Sequence, residues 1–69
     1  MIKFSQAEII RFFEKHPNEI FTKTEVYNGK GKIKGLKHLT NPTSFYRCFN
    51  KITPYLNSDS ERKIFWYEK

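Results

Sequence analysis

The chain of 69 residues holds one cysteine, three glycines and three prolines. Each scarcity excludes something. A lone Cys48 cannot close an internal disulfide, so a stapled secreted scaffold is ruled out. There is no CxxC pair, and His16 and His38 stand 22 positions apart, which argues against a zinc site built on clustered ligands. Long apolar runs are missing too. The longest are Ile64–Tyr67, Ile9–Ile10 and Phe12–Phe13, against the roughly 20 residues that span a bilayer. The lead-in Met1-Ile2-Lys3-Phe4-Ser5 opens onto a charged helical pattern and not onto the apolar stretch of a signal peptide. The expectation is a soluble, intracellular, cytoplasmic protein with no membrane partner.

Catalytic signatures are absent as well. The glycines follow G-x-G-x-x-x-G at 29–35, which matches neither the dinucleotide fingerprint nor the phosphate-binding loop. Neither histidine has a serine, cysteine or carboxylate in a pattern that suggests nucleophilic chemistry. Glu8 and Glu25 read as helix caps, leaving no spare pair of carboxylates for acid–base work. The length has no room for a nucleotide-binding sheet, a barrel or two packed domains. The sequence predicts no enzyme, no cofactor, no metal and no small-molecule substrate.

Acidic residues are missing from one particular region. Glu8, Glu14, Glu19, Glu25, Asp59, Glu61 and Glu68 all lie outside Val26–Ser58. That stretch carries Lys30, Lys32, Lys34, Lys37, Arg47 and Lys51, while the acids and bases elsewhere cancel. The whole net charge of +6 therefore sits in the middle of the chain. A positive field without interleaved acids attracts polyanions. The plainer alternative is a lysine-rich loop that only solvates.

Aromatic residues are abundant: seven Phe, four Tyr and one Trp. Each buries about 150–250 Å², so a short chain can still fill a core. Ser5-Gln6-Ala7-Glu8 has the form of a capping box, with Phe4 and Ile9 as a hydrophobic staple. It opens a first helix that runs to about Lys15 or His16, before Pro17. Ile20-Phe21 reads as a short bridge of extended chain. Thr22-Lys23-Thr24-Glu25 repeats the capping box and starts a second helix through Val26 and Tyr27, closed by Asn28-Gly29 in a left-handed cap. Residues 29–41 read as a mobile basic loop, with a short helical turn at 35–39 suggested by the spacing of Ile33, Leu36 and Leu39. Asn41 as cap and Pro42 at the first helical position start a third helix that runs to about Ile52 or Thr53.

The third helix divides cleanly at 100° per residue. Phe45, Phe49, Ile52 and Cys48 share one face, and Tyr46, Asn50, Thr43, Arg47, Lys51 and Ser44 the other. Tyr55-Leu56, a turn at Asn57–Ser60, and Arg62–Glu68 read as a hairpin. Trp66, with Phe65, is assigned to the core of the last strand, and Cys48 is a small buried hydrophobe rather than a reactive thiol.

The phrase Phe21-Thr22-Lys23-Thr24-Glu25-Val26, then Thr43-Ser44-Phe45-Tyr46-Arg47, then the terminal Arg62-Lys63-Ile64-Phe65-Trp66-Tyr67 strand resembles winged helix-turn-helix DNA-binding domains over about residues 5–68. The resemblance implies one small α+β domain, three helices plus a C-terminal β-hairpin wing. It implies that the third helix enters the major groove while the wing touches the backbone or minor groove beside it. The chain departs from the family in the 13 residues, Gly29–Asn41, that stand where a short turn is usual.

On this reading Arg47 can contact guanine bidentately and Asn50 adenine. Thr43, Ser44, Tyr46 and Lys51 face phosphates near the same groove. Lys30, Lys32, Lys34 and Lys37 form a sequence-independent phosphate clamp, and Arg62 and Lys63 flank the wing. The expected partner is double-stranded DNA, bound by a transcriptional regulator that acts by occupancy, alone or as a homodimer. Two alternatives stand beside it. One is a winged-helix module docking on a protein of the transcription machinery through its lysines. The other is RNA or single-strand binding by stacking on Trp66, Phe65 and Tyr67. The lysine-rich composition, with frequent Ile, Phe and Asn, hints at an AT-rich viral or mobile-element genome.

Overall fold

A computed structural model describes residues 4–68; the lead-in from Met1 to Lys3 and Lys69 lie outside the described residues. Three helices and two small antiparallel hairpins make an α+β fold. The order is α1 (Gln6–Lys15), α2 (Lys23–Asn28), β1 (Gly29–Lys30), β2 (Ile33–Lys34), α3 (Pro42–Ile52), a 3-10 turn (Thr53–Tyr55), β3 (Asn57–Asp59) and β4 (Ile64–Trp66). No helix among the described residues is long and apolar enough to cross a membrane.

The core is built from phenylalanine. Phe12, Phe13, Phe21, Phe45, Phe49 and Phe65 are buried with Ile9, Val26, Leu36 and Ile52. Their rings meet edge to face, with centroids 4.9 Å apart for Phe12 and Phe21 and for Phe49 and Phe65. Opposing the positive ring edge to the negative ring face adds to what burial alone contributes. Phe13 and Phe49, at 6.1 Å, join α1 to α3. No polar or charged side chain is buried among the described residues, so nothing in the core needs a hydrogen-bond partner.

The helix starts separate into two kinds. Thr22 accepts a hydrogen bond from the Glu25 N–H at 3.2 Å, and the Glu25 carboxylate accepts one from the Thr22 N–H at 2.9 Å. The second capping box is therefore complete. Asn41 likewise accepts from the Ser44 N–H at 2.9 Å, with Pro42 in the first turn. The first capping box is not made, in contrast to the sequence expectation. Ser5 sits at the N-cap without a side-chain bond. Glu8 instead accepts from Arg11, one turn on, at 3.2 Å, where a guanidinium competes with a backbone amide for the carboxylate.

The expected mobile loop at 29–41 is a folded hairpin followed by a turn. Gly29 pairs with Lys34 and Lys30 with Ile33 across the two-residue loop Gly31-Lys32. The physical reason lies at the end of α2. The last carbonyls of any helix lack partners, and here the returning chain supplies them. The Gly29 N–H at the helix end reaches Glu25, and from the returning chain the Leu36 N–H reaches Val26 at 3.0 Å and the Lys37 N–H reaches Tyr27 at 2.9 Å. In place of the helical turn expected at 35–39, a single hydrogen-bonded turn follows, with Leu39 N–H on the Leu36 carbonyl at 2.9 Å. Gly35 makes the return possible: a Cβ there would strike the Tyr27 carbonyl and the Gly29 amide. Gly29 itself has φ 106° and ψ 162°, extended in the mirror-image sense open to glycine. It leads into a strand and is not the left-handed cap expected.

The C-terminal hairpin is also shifted from its predicted place. Asn57–Asp59 forms a strand where a turn was expected, paired with Ile64–Trp66, and Tyr55 belongs to the 3-10 turn that Pro54 imposes. The turn is set by Asp59, whose carboxylate accepts the Glu61 N–H at 3.1 Å and the Arg62 N–H at 3.4 Å. Lys63 closes it at φ 56°. Residues 18–21 lie along the other edge of β4. Phe21 and Phe65 exchange hydrogen bonds of 2.9 and 2.7 Å, and Asn18 N–H reaches the Tyr67 carbonyl at 2.8 Å. That covers an edge otherwise open to pairing with another chain, and the predicted extended bridge at Ile20-Phe21 is present.

Alternation along β4 corrects one further expectation. Phe65 faces inward and is buried. A strand points successive side chains to opposite faces, so Ile64 and Trp66 face away from the core. Trp66 is half-buried, and its indole N–H donates to Glu68 at 3.3 Å. Cys48 stays on the inner side of α3, half-buried against the core.

Candidate nucleic-acid interface

Among the residues expected to read DNA, Thr43, Arg47, Asn50 and Lys51 are exposed on the outer face of α3, and Ser44 and Tyr46 are half-buried. No acid lies on this helix. Arg47 and Lys51 have no hydrogen-bond or ion-pair partner among the described residues. Tyr46 packs its ring 5.2 Å from Phe45 and 6.4 Å from Tyr27, which fixes the ring by packing while its edge lines a cleft.

That cleft is formed by three elements. Thr22, Lys23 and Thr24 from the start of α2, Tyr46 from α3, and Ser60, Arg62 and Lys63 from the β3–β4 turn surround it, with Phe65 at the base. Arg62 and Lys63 therefore lie across from α3, a juxtaposition that follows from burial of Phe49 and Phe65 against each other. Arg62 remains 79% exposed despite a loose approach to Asp59 at 3.9 Å.

Lys23 is the residue that sequence reading missed. Its ammonium donates to Asn50 Oδ1 at 2.8 Å and lies over the rings of Phe49 and Phe65 at 5.7 and 5.9 Å. The contact spans 27 residues, and its neighbours in sequence identify it only as the first helical residue after the Thr22 cap. The consequence for Asn50 is specific. A bidentate adenine contact uses the amide oxygen as acceptor and the amide NH₂ as donor. Lys23 takes one of the two acceptor positions of that oxygen and fixes the amide, whose NH₂ is left to donate to a purine N7.

The four lysines of residues 30–37 do not act together. Lys30 donates to the Ile20 carbonyl at 2.7 Å and lies 5.4 Å from the centre of the Phe21 ring, so its charge is held against the fold. Lys32 and Lys34 border a second cleft with α1, lined among others by Arg11, Lys15 and His38. Lys37 is exposed beyond the end of α2, its backbone tied to Tyr27. The expected clamp is thus distributed over separate sites, and none of these lysines lines the α2–α3–hairpin cleft.

The three rings expected to stack single strands are separated too. Phe65 is buried, Tyr67 packs against the core, and Trp66 faces outward beside Ile64 and Ile20. Among the described residues there is no group of three or more His, Cys, Asp or Glu side chains arranged to hold a metal ion. His16 packs 5.2 Å from the ring of Phe12 at the end of α1, and His38 is exposed. Comparison of the chain with protein-family models, with curated proteins and with solved structures finds no match in any of the three.

Proposed function

We propose that the protein is a small winged-helix DNA-binding regulator, with α3 as the reading helix and the β3–β4 hairpin as the wing. The observation that carries this reading is the acid-free outer face of α3, flanked across one cleft by Lys23, Arg62 and Lys63. Phosphate contacts position a protein on the duplex, and base contacts specify the sequence. The cleft supplies the first: Lys23, Arg62 and Lys63 from two elements flank the groove that α3 would enter. The outer face of α3 supplies the second. Arg47 is free to meet guanine as a fork, and the Asn50 NH₂ can meet a purine N7. Such contacts are each worth about 1–3 kcal/mol of discrimination. Regulation would follow from occupancy of the site.

Selection on random duplex DNA, followed by titration of the selected site, tests this. The parent protein is expected to enrich a motif and bind it with an affinity that falls steeply as salt rises. The R47E/K51E double variant reverses two exposed charges that make no side-chain hydrogen bond or ion pair among the described residues, so it is expected to stay folded and lose duplex binding. A folded double variant that binds like the parent would remove α3 from the interface.

A further inference from the structure

The second cleft lies between the outer face of α1 and the β1–β2 hairpin. Its floor is apolar: Ile33 is half-buried and Leu39 is 39% exposed, set against the buried edges of Phe12 and Leu36. Its rim is basic, with Lys15, Lys32, Lys34 and His38 all exposed. The one acid on its lining, Glu8, is held by Arg11 at 3.2 Å. We propose that this cleft is a docking groove for a short acidic amphipathic segment of a partner protein.

The chemistry favours that occupant over a second stretch of nucleic acid. A phosphate backbone would neutralise the rim but bring no apolar group to cover Ile33 and Leu39. An acidic amphipathic helix covers both, with its apolar stripe on the floor and its carboxylates along the lysines. From Glu8 to Lys15 the wall formed by α1 rises about 10 Å, or two turns of a partner helix. The opposite wall is pre-formed, because the chain leaving the hairpin is tied by the Leu36 and Lys37 amides to the Val26 and Tyr27 carbonyls, and a pre-organised groove loses little entropy on binding.

The groove also lies apart from the α3 face. α1 and α3 pack against each other through Phe13 and Phe49, so their outer faces look in opposite directions. The two clefts share no residue. A partner segment can therefore sit on α1 and the hairpin while α3 is occupied, which is the geometry of an adaptor.

The test uses the full chain and a short labelled peptide that alternates Glu and Asp with Leu and Phe at helical spacing, without DNA present. Fluorescence anisotropy is expected to show saturable binding that weakens with salt. K32E/K34E, at two exposed positions, is expected to weaken it about tenfold or more, since two attractive charges become repulsive. L39S is expected to weaken it several-fold at unchanged charge. R62E/K63E is expected to leave it unchanged. A peptide with serine in place of every Leu and Phe is expected to bind at least about tenfold worse.

Equal binding of the serine peptide, indifference to K32E/K34E, or no binding at all overturns the proposal. So does displacement of the peptide by a short duplex that itself depends on Lys32 and Lys34, which would make the groove a nucleic-acid site. Because the peptide titrations themselves contain no DNA, their failure leaves the α3 reading untouched, and failure of duplex binding at α3 leaves the groove untouched.

Discussion

Lys23 stands at the junction of three elements. It bonds Asn50 on α3, rests on the rings of Phe49 and Phe65, and faces the cleft with Arg62 and Lys63. A long cationic side chain can bury its methylene stem while its head stays in contact with water. Gly35 is the residue-scale counterpart in the backbone. A Cβ on it would fall so near the Tyr27 carbonyl and the Gly29 amide that any side chain displaces backbone. Gly35→Ala is expected to destabilise the protein by about 2 kcal/mol or more, at the upper end of the usual range for a point change, measured by chemical denaturation. An effect within about 0.5 kcal/mol, the usual size for an innocuous site, would mean the chain can return past α2 by another path. Neither residue announced its role in sequence. Lys23 meets Asn50 only because two helices cross, and Gly35 looked like one of three glycines in a flexible basic loop.

The elements differ in how they are started. α2 has a complete capping box and α1 has none, although both sequences carry the same motif. Thr22→Ala is expected to cost about 1 kcal/mol, the usual loss for a removed cap. Ser5→Ala is expected to stay within about 0.5 kcal/mol, since no side-chain bond is lost. Parallel denaturant titrations of the two variants check the contrast, and equal losses would show that Ser5 caps α1 after all. Much of the element structure was legible because its determinants are local. The Asn41-Pro42 start of α3, the proline stops and the inner face of Phe45, Phe49 and Ile52 all follow from neighbours within a turn. The two hairpins were less legible. β1–β2 is ordered by the unpaired carbonyls of α2, and the position of the β3–β4 turn is set by Asp59 rather than by the richest run of turn-forming residues.

For the whole molecule, the phenylalanine core decides which charges share a surface. Lys23, Arg47, Lys51, Arg62 and Lys63 are the cations of the proposed DNA face. If the four other than Arg47, which meets a base, neutralise phosphates, the logarithm of affinity falls against the logarithm of salt with a slope of roughly −3 to −4. Replacing Arg62 and Lys63 by alanine together is expected to make that slope shallower by about 2, one for each lost phosphate contact. It is expected to weaken all duplex sequences alike, because wing contacts to phosphate carry no base information. Salt titrations with a selected and a scrambled duplex measure both effects, and an unchanged slope would place the wing off the DNA. Replacing Lys30 instead is expected to leave the slope alone, since it does not line the cleft beside α3.

The sequence by itself determined the apolar faces of α1 and α3, the caps of α2 and α3 and the acid-free centre of the chain. Each of these depends on residue type and on neighbours a few positions away. Only the tertiary structure decided that Lys32 and Lys34 join α1 rather than α3, that Lys23 reaches Asn50, and that Trp66 faces outward. Those outcomes depend on which buried rings pack against one another across the chain, and such long-range contacts leave no periodic trace in the order of amino acids.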